Sequence, residues 1–81
     1  MVWTTYVLRS EKDQRLYIGY TGDLESRLKR HREGFVVATK KRRPLTLVYH
    51  EQHETESIAQ ARERFFKTGK GRAVLKSFLK I

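Results

Sequence analysis

The chain of 81 residues contains no cysteine. Disulfide bonds and thiolate-bound zinc are therefore excluded, and the absence is compatible with a reducing compartment. Apolar runs are short, and the one at residues 45–49 is far below the length that crosses a bilayer. The N-terminus also lacks the basic start and apolar block of a signal peptide. We therefore expect a soluble cytoplasmic protein that does not enter a membrane.

Acidic residues are also few: nine Asp and Glu stand against 18 Lys and Arg, so the formal net charge is +9. This excess predicts a polyanionic partner, because phosphates that are neutralised by a protein release their condensed counterions. We expect the partner to be nucleic acid, with DNA preferred, and we leave a protein partner and the oligomeric state open. The alternative is a basic surface that serves solubility alone.

The densest basic cluster is TKKRRP at residues 39–44. Together with cations of the preceding helix, it can line a groove that follows a phosphate backbone. Such contacts position a nucleic acid without reading its sequence. The alternative is a solvated, disordered loop. The predicted nucleic-acid-binding residues are Lys29, Arg30, Arg32, Lys40, Lys41, Arg42 and Arg43.

A chain of this length predicts one domain, residues 1–81, with a thin core. β-branched and aromatic residues predict its strands, the first two of which are joined by a polar turn. These strands are residues 2–8, 16–20 and 45–51.

Capping residues and glycines predict where the helices begin and end. Thr21 or Asp23 caps the first helix, which ends at Gly34. Thr55 or Ser57 caps the second helix. Each helix also carries apolar residues at helical spacing, which predicts one buried face.

The end of the chain predicts a short third helix at residues 74–79, because Gly69 and Gly71 break the second helix. The resulting order ββαβαα predicts an α+β fold. The first helix returns the chain, so the second and third strands run the same way. In an all-antiparallel sheet the third strand must then pair with the first, which gives a three-stranded antiparallel sheet of order 2-1-3 flanked by three helices.

The first two strands carry candidate functional residues. Side chains alternate across a strand, so Tyr17 shares a face with Gly19. Tyr6 points to the same side if the paired residue numbers in the hairpin sum to an odd value. Glycine in a strand often permits close approach of a ligand or another backbone, so Gly19 predicts clearance beside the tyrosines. The alternative for each tyrosine is ordinary sheet packing with its hydroxyl in solvent.

The helices carry three more candidates. Arg27 and His31 are four residues apart and therefore neighbours on one helical face. A guanidinium there offers a fork of donors that matches phosphate oxygens. Glu63 alone cannot cage zinc, but one carboxylate is adequate for Mg²⁺, which keeps most of its waters. The alternatives are a solvated face for Arg27 and His31, and an ion pair with Lys67 for Glu63.

These residues resemble the GIY-YIG nuclease family. Tyr17-Ile18-Gly19 is the second half of the motif that names it, and Thr4-Thr5-Tyr6 keeps only the tyrosine of the first half. The stretches YIGYTGDLESRLKRH, RRPLTLVYHE and AQARERFFK are similar to the family's catalytic helix region, third strand and metal-binding helix. The resemblance extends from Tyr6 to Lys67 and is strongest to small stand-alone members.

The resemblance implies metal-dependent hydrolysis of DNA phosphodiester bonds, by an endonuclease. Glu63 would hold one divalent metal, Mg²⁺ or alternatively Mn²⁺, and Arg27 would bind the non-bridging phosphate oxygens. Tyr6 and Tyr17 would order the nucleophilic water, with the general base unassigned between them. His31 would support the phosphate or a tyrosine hydroxyl.

One departure from the family bears on the strength and the substrate of this activity. Many catalytic members carry an asparagine on the helix that follows the metal-binding glutamate, and this chain contains no asparagine. Two other functions therefore compete with an independent nuclease. One is a nucleic-acid-binding module whose tyrosines stack on bases, and the other is a nuclease subunit that depends on a partner.

Overall fold

The computed structural model of the protein describes residues 2–81. One antiparallel sheet has the strand order β2-β1-β3, with β1 in the centre. Its order and the α+β architecture confirm the fold predicted from the sequence. The elements along the chain are β1 (Trp3–Ser10), β2 (Leu16–Thr21), α1 (Leu24–Arg32), β3 (Leu45–His53), α2 (Glu56–Phe66) and α3 (Gly69–Leu79).

The core lies between the sheet and the two C-terminal helices. Val7 and Ile18, which are paired across β1 and β2, pack with Phe66 of α2 and Leu75 of α3. Each such buried side chain stabilises the fold by about 1.5–3 kcal/mol. Because this layer is made by one face of the hairpin, the opposite face is free to carry polar side chains.

The hairpin register places both motif tyrosines on that opposite face. Tyr6 pairs with Gly19, and Val7 pairs with Ile18. The numbers of paired residues sum to an odd value. This is the condition under which the sequence predicts that Tyr6 and Tyr17 lie on the same side of the sheet. The rings of Tyr6 and Tyr17 are accordingly neighbours, with centroids 6.4 Å apart.

Two of the alternative helix caps are resolved by side-chain hydrogen bonds. Asp23 caps α1, where its carboxylate accepts from the Ser26 amide at 3.0 Å. Thr55 caps α2, where its hydroxyl accepts from the Ile58 amide at 3.3 Å. Both bonds satisfy amides that have no partner within the helix.

The predicted role of the two late glycines is wrong. Gly69 and Gly71 lie inside α3, not at the end of α2, because Thr68 caps α3 and accepts from the Gly71 amide at 2.9 Å. A Cβ on Gly71 would lie 1.7 Å from the Phe65 carbonyl oxygen. Glycine is therefore needed at 71 so that α3 can approach the end of α2, and α3 begins earlier than predicted.

The basic segment between α1 and β3 is packed onto the fold. It contains a short 3-10 turn, Lys40–Arg42. The Ser10 hydroxyl donates to the Arg42 carbonyl at 2.7 Å, and the Glu11 amide donates to the Pro44 carbonyl at 2.9 Å. These bonds fasten the segment to the end of β1.

Helices α2 and α3 are the longest in the structure, with 11 residues each. Within residues 2–81, none of the helices combines the length and the apolar character that a bilayer crossing requires.

Candidate active site

A solvent-open hollow of about 390 Å³ lies at the outer edge of β2. Its walls include Tyr6, Tyr17, Arg27 and Glu63, together with Gly19. The structure therefore brings the two strand tyrosines, the helix guanidinium and the helix carboxylate of the sequence prediction to one place.

Gly19 forms the floor of the hollow beneath the phenol of Tyr6. A Cβ at position 19 would lie 2.6 Å from the Tyr6 hydroxyl oxygen and 2.7 Å from the ring carbon that bears it. The space that glycine leaves is thus filled by the ring of its cross-strand partner. Tyr6 is fully buried, whereas Tyr17 is half-buried. Tyr17 is therefore the phenol that solvent reaches more readily.

Burial controls the protonation of Tyr6. It raises the pKa of the Tyr6 phenol above its usual value, and this effect exceeds the lowering by the Arg27 guanidinium. The charge of Glu63 adds a smaller increase of the same pKa. Since the usual pKa of tyrosine is already about 10, Tyr6 is a neutral phenol at neutral pH.

Arg27 reaches the hollow from α1 and is held by Tyr6. Its Nε–H donates to the Tyr6 hydroxyl at 3.3 Å, and this bond raises the pKa of Arg27 above its usual value. The guanidinium is therefore a permanent cation. A hydrogen bond with the Tyr17 phenol makes a smaller contribution to the same increase in pKa. The guanidinium lines the hollow, so its remaining donors are available to an anion there.

His31 lies beneath the hollow and joins two hydroxyls. Its Nε2 is 2.9 Å from the Tyr6 hydroxyl, and its Nδ1 is 2.8 Å from Thr39 Oγ1. The side chain is 1% exposed. Burial and the charge of Arg27 lower the pKa of His31 to about 4, so the ring is neutral at neutral pH. Its geometry supports a tyrosine hydroxyl, and its burial keeps it from direct contact with a phosphate.

Glu63 reaches the hollow from α2. The Thr5 hydroxyl donates to the Ala59 carbonyl at 2.8 Å, which seats α2 on β1 one turn before Glu63. The carboxylate also pairs with Lys67 at 3.5 Å, and the Glu63 side chain is 19% exposed. The ion pair that was the alternative for Glu63 is therefore present, and the carboxylate lines the hollow as well.

Oxygen donors in the hollow determine which metal it can accept. A second carboxylate, that of Glu56, also lines it, two helical turns before Glu63 on α2. Within residues 2–81, no three His, Asp or Glu side chains are grouped closely enough to cage an ion. Mg²⁺ takes one or two carboxylates, keeps several waters and uses phosphate oxygens. The donor set therefore fits a hydrated Mg²⁺ bound together with substrate.

The predicted nucleic-acid-binding residues lie outside the hollow. Several are engaged within the fold: Lys29 pairs with Glu33 at 3.9 Å, and Arg42 pairs with Asp13 at 3.3 Å. Arg43 donates to the Arg32 carbonyl at 3.2 Å. The remaining side chains, those of Arg30, Arg32, Lys40 and Lys41, are exposed.

Some residues of the site were not identified from the sequence. The sequence predicts Thr39 only as part of the basic cluster at residues 39–44, yet it is fully buried against His31. Glu56 was not considered, although an acidic residue in the first turn of a helix is common at a strand–helix junction. Trp3 and Tyr20 also border the hollow, with ring centroids 6.3 Å apart. No sequence signal distinguished these aromatic residues from core residues.

Comparison with known proteins identifies the family. A family model described as the GIY-YIG catalytic domain matches residues 2–76. The chain belongs to the GIY-YIG family. The GIY-YIG catalytic domain places it in a superfamily of endonucleases. Tyr17, Gly19, Arg27 and Glu63, which meet in the hollow, all lie within the matched region.

Relatives of this GIY-YIG chain are small proteins named UPF0213. It is 43% identical over 56 residues to the UPF0213 protein of Streptococcus sanguinis, a match that covers 68% of this chain and 64% of that protein. With the UPF0213 protein of Staphylococcus saprophyticus it shares 47% identity over 58 residues, or 70% and 71% of the two chains. The chain thus spans about two thirds of the length of these relatives.

A solved structure has the same GIY-YIG fold. The solution NMR structure of the UPF0213 protein of Bacillus halodurans matches with a TM-score of 0.60 and 28% sequence identity. The match covers 96% of this chain and 85% of that one. The agreement extends over nearly all of the described elements, including those that form the hollow.

Proposed function

We propose that this protein is an endonuclease that hydrolyses phosphodiester bonds of nucleic acid, with DNA as the preferred substrate, in the hollow at the edge of β2. The observation that carries the proposal is the convergence of Tyr17, Arg27 and Glu63 on one solvent-open hollow from three separate elements. Ordinary sheet packing does not require a guanidinium and a carboxylate beside two phenols.

Arg27 binds the scissile phosphate. Its guanidinium is a permanent cation held in place by Tyr6, so its donors are oriented before substrate arrives. The transition state of phosphodiester hydrolysis carries more negative charge on the non-bridging oxygens than the substrate does. A preorganised donor of this kind contributes about 10²–10³ in kcat.

Tyr17 is the phenol that contacts the attacking water. It lines the hollow and is half-buried, whereas Tyr6 is fully buried and its hydroxyl is already bonded to Arg27 and His31. Tyr6 therefore positions the guanidinium, and Tyr17 orients the water for attack in line with the leaving oxygen.

Glu63 would hold a hydrated Mg²⁺ in the hollow, and Mn²⁺ takes similar oxygen ligands. The bound ion would supply Lewis-acid stabilisation of charge on the phosphate and on the leaving oxygen. Lys67, the C-cap of α2, pairs with Glu63 at 3.5 Å.

The exposed cations between α1 and β3 bind the substrate backbone away from the hollow. Ser10, to which this segment is fastened, is four residues from Tyr6 along β1. At about 3.3 Å per residue the separation is roughly 13 Å, or about four base steps of one strand. These contacts are electrostatic, so affinity should fall steeply as salt rises.

The substitution Glu63→Gln tests the function. It keeps the size of the side chain and removes the charge that the metal needs, so Mg²⁺-dependent cleavage of labelled DNA should fall at least about 100-fold. DNA binding measured in EDTA should stay within about twofold of wild type. The matched control is Lys67→Gln, which breaks the same ion pair but leaves the carboxylate, and it should retain cleavage.

Two results would contradict the proposal. One is purified wild-type protein that binds DNA but cleaves none in Mg²⁺ or Mn²⁺, which would favour a binding module. The other is an equal loss of cleavage in Glu63→Gln and Lys67→Gln, which would assign Glu63 a structural role through its ion pair.

A further inference from the structure

A second cavity lies along the same strand edge and outside the hollow. It has a volume of about 560 Å³ and is bordered by Leu16 and Ile18 of β2 and by Arg72, Leu75 and Lys76 of α3. Because β2 is an outer strand of the sheet, the cavity opens beside an unpaired strand edge. We refer to it as the α3 groove.

The walls of the α3 groove are basic. Its lining includes four cations, Arg15, Arg42, Arg72 and Lys76, and one acidic side chain, that of Asp13. Asp13 is already paired with Arg42 at 3.3 Å. Within residues 2–81, no carboxylate lies within ion-pair distance of the other three cations. The groove therefore carries a local excess of positive charge that the fold does not neutralise.

The placement of these cations weakens the fold. Arg72 and Lys76 are four residues apart on α3, where like charges repel each other and destabilise a helix. An anionic oxygen in the groove would offset this repulsion.

The floor of the α3 groove is apolar. Leu16 is half-buried and Ile81 is exposed, so these two residues supply the accessible apolar surface of the groove, whereas Ile18 and Leu75 are buried. Inorganic phosphate would satisfy the cations and leave this floor in water, while a purely apolar ligand would leave the cations without partners. A nucleotide unit matches both parts, because its base packs on apolar surface and its phosphate pairs with cations.

The groove and the hollow are adjacent along β2. Tyr17 and Gly19 line the hollow, and the interleaved Leu16 and Ile18 line the groove. Alternate residues point to opposite sides of a β-strand, so a nucleic-acid strand that passes from one cavity to the other must bend around the edge of β2. From residue 19 to residue 16 the path is roughly 10 Å, about three base steps. Duplex DNA, with a persistence length of about 150 base pairs, does not bend smoothly that sharply.

We propose that the α3 groove binds a nucleotide of an unpaired strand that leaves the hollow around the free edge of β2. This inference rests on the proposed function and adds the substrate class: nucleic acid with a single-stranded segment next to the scissile bond. Arg72 and Lys76 bind the phosphates of that segment, and its base lies on Leu16 and Ile81.

The test compares a fluorescent blunt duplex with the same duplex carrying a short single-stranded tail. Anisotropy in EDTA measures binding without cleavage. The double variant Arg72→Gln/Lys76→Gln should lose roughly tenfold in affinity for the tailed duplex, and its salt slope for that substrate should fall by about 1.4, or 0.7 for each phosphate contact. The control Lys70→Gln/Lys80→Gln removes two charges of the same region that do not line the groove, and it should change both substrates equally and by less than about threefold.

Several outcomes would overturn the assignment of the groove. The first is that the wild type binds blunt and tailed duplexes with equal affinity. The second is that the two double variants lose equal affinity for the tailed duplex, and the third is that the wild type binds neither substrate. Displacement of the tailed duplex by free mononucleotide at comparable concentration would show a small-molecule site instead. Tail-dependent binding in a protein that does not cleave would reject the proposed function and leave the groove supported, so the two can fail separately.

Discussion

The substitution Gly19→Ala tests directly how the candidate active site is built. A Cβ at position 19 would lie 2.6 Å from the hydroxyl oxygen of Tyr6 and 2.7 Å from its ring carbon. Carbon atoms in favourable contact are about 3.5–4.0 Å apart. The phenol must therefore retreat by roughly 1 Å, or the two strands must separate.

Neither adjustment is available without cost. Tyr6 is fully buried, and its hydroxyl is bonded to His31 at 2.9 Å and to Arg27 at 3.3 Å. Overpacking a site of this kind costs about 1–3 kcal/mol, and each strained hydrogen bond adds about 1 kcal/mol. Loss of backbone freedom in the unfolded chain offsets about 0.4–1 kcal/mol. We expect the free energy of unfolding to fall by about 2–5 kcal/mol.

Urea unfolding followed by the fluorescence of Trp3, the single tryptophan, measures this change. A loss of 1 kcal/mol should lower the Tm by about 4–8 °C in a domain of this size. The matched control is Gly69→Ala, because nothing lies within 4 Å of a Cβ added at that position. Alanine there should leave the stability unchanged or raise it by up to about 1 kcal/mol.

Cleavage by Gly19→Ala should fall at the same time, because displacement of Tyr6 moves the guanidinium that it holds. The reasoning is refuted if the variant unfolds at the wild-type urea concentration and only its KM rises. Gly19 would then provide clearance for the ligand, as the sequence first suggested, and the contact with Tyr6 would be incidental.

Three other substitutions or conditions test the packing around the site. The folded-state pKa of His31 is about 4 against 6.5 for the free side chain, so its stabilisation is complete above pH 6.5 and is lost as the pH falls toward 4. The free energy of unfolding in urea should therefore be roughly 2–3 kcal/mol lower at pH 4.5 than at pH 7 because of His31. The substitution His31→Leu should remove that difference, and the exposed control His50→Leu should retain it. Thr39→Val should cost about 1–3 kcal/mol in urea unfolding by leaving His31 Nδ1 without its buried partner; an equal loss in Thr39→Ser would show that the hydroxyl is not the cause. Gly71→Ala should cost about 3 kcal/mol or more, because the added Cβ would meet the Phe65 carbonyl oxygen at 1.7 Å; a wild-type Tm by circular dichroism would contradict the close approach of α2 and α3.

The strand part of the site was accessible from the sequence because strand geometry is simple. Side chains alternate with a period of two, so one parity condition decided whether Tyr6 and Tyr17 share a face. The observed pairing of Tyr6 with Gly19 meets that condition. The sheet order followed from chain direction alone, since the helix between the second and third strands reverses the path.

The late glycines show where the same reasoning fails. Glycine is unfavourable in the interior of a helix because of its conformational freedom. That local propensity predicted that Gly69 and Gly71 end α2. At position 71 a tertiary contact overrides that propensity, because only glycine lets α3 approach the Phe65 carbonyl. A residue that looks like a helix breaker is therefore required inside a helix.

By itself, the sequence determined the strand order and the family, and it indicated Tyr17, Arg27 and Glu63 of the hollow, because these depend on periodicity, chain direction and motif spacing. Only the tertiary structure decided what those side chains do to one another. Burial holds Tyr6 and His31 neutral, and Thr39 enters the site although it is remote from the tyrosines along the chain. Protonation and contact depend on distances between elements, and local sequence does not contain those distances.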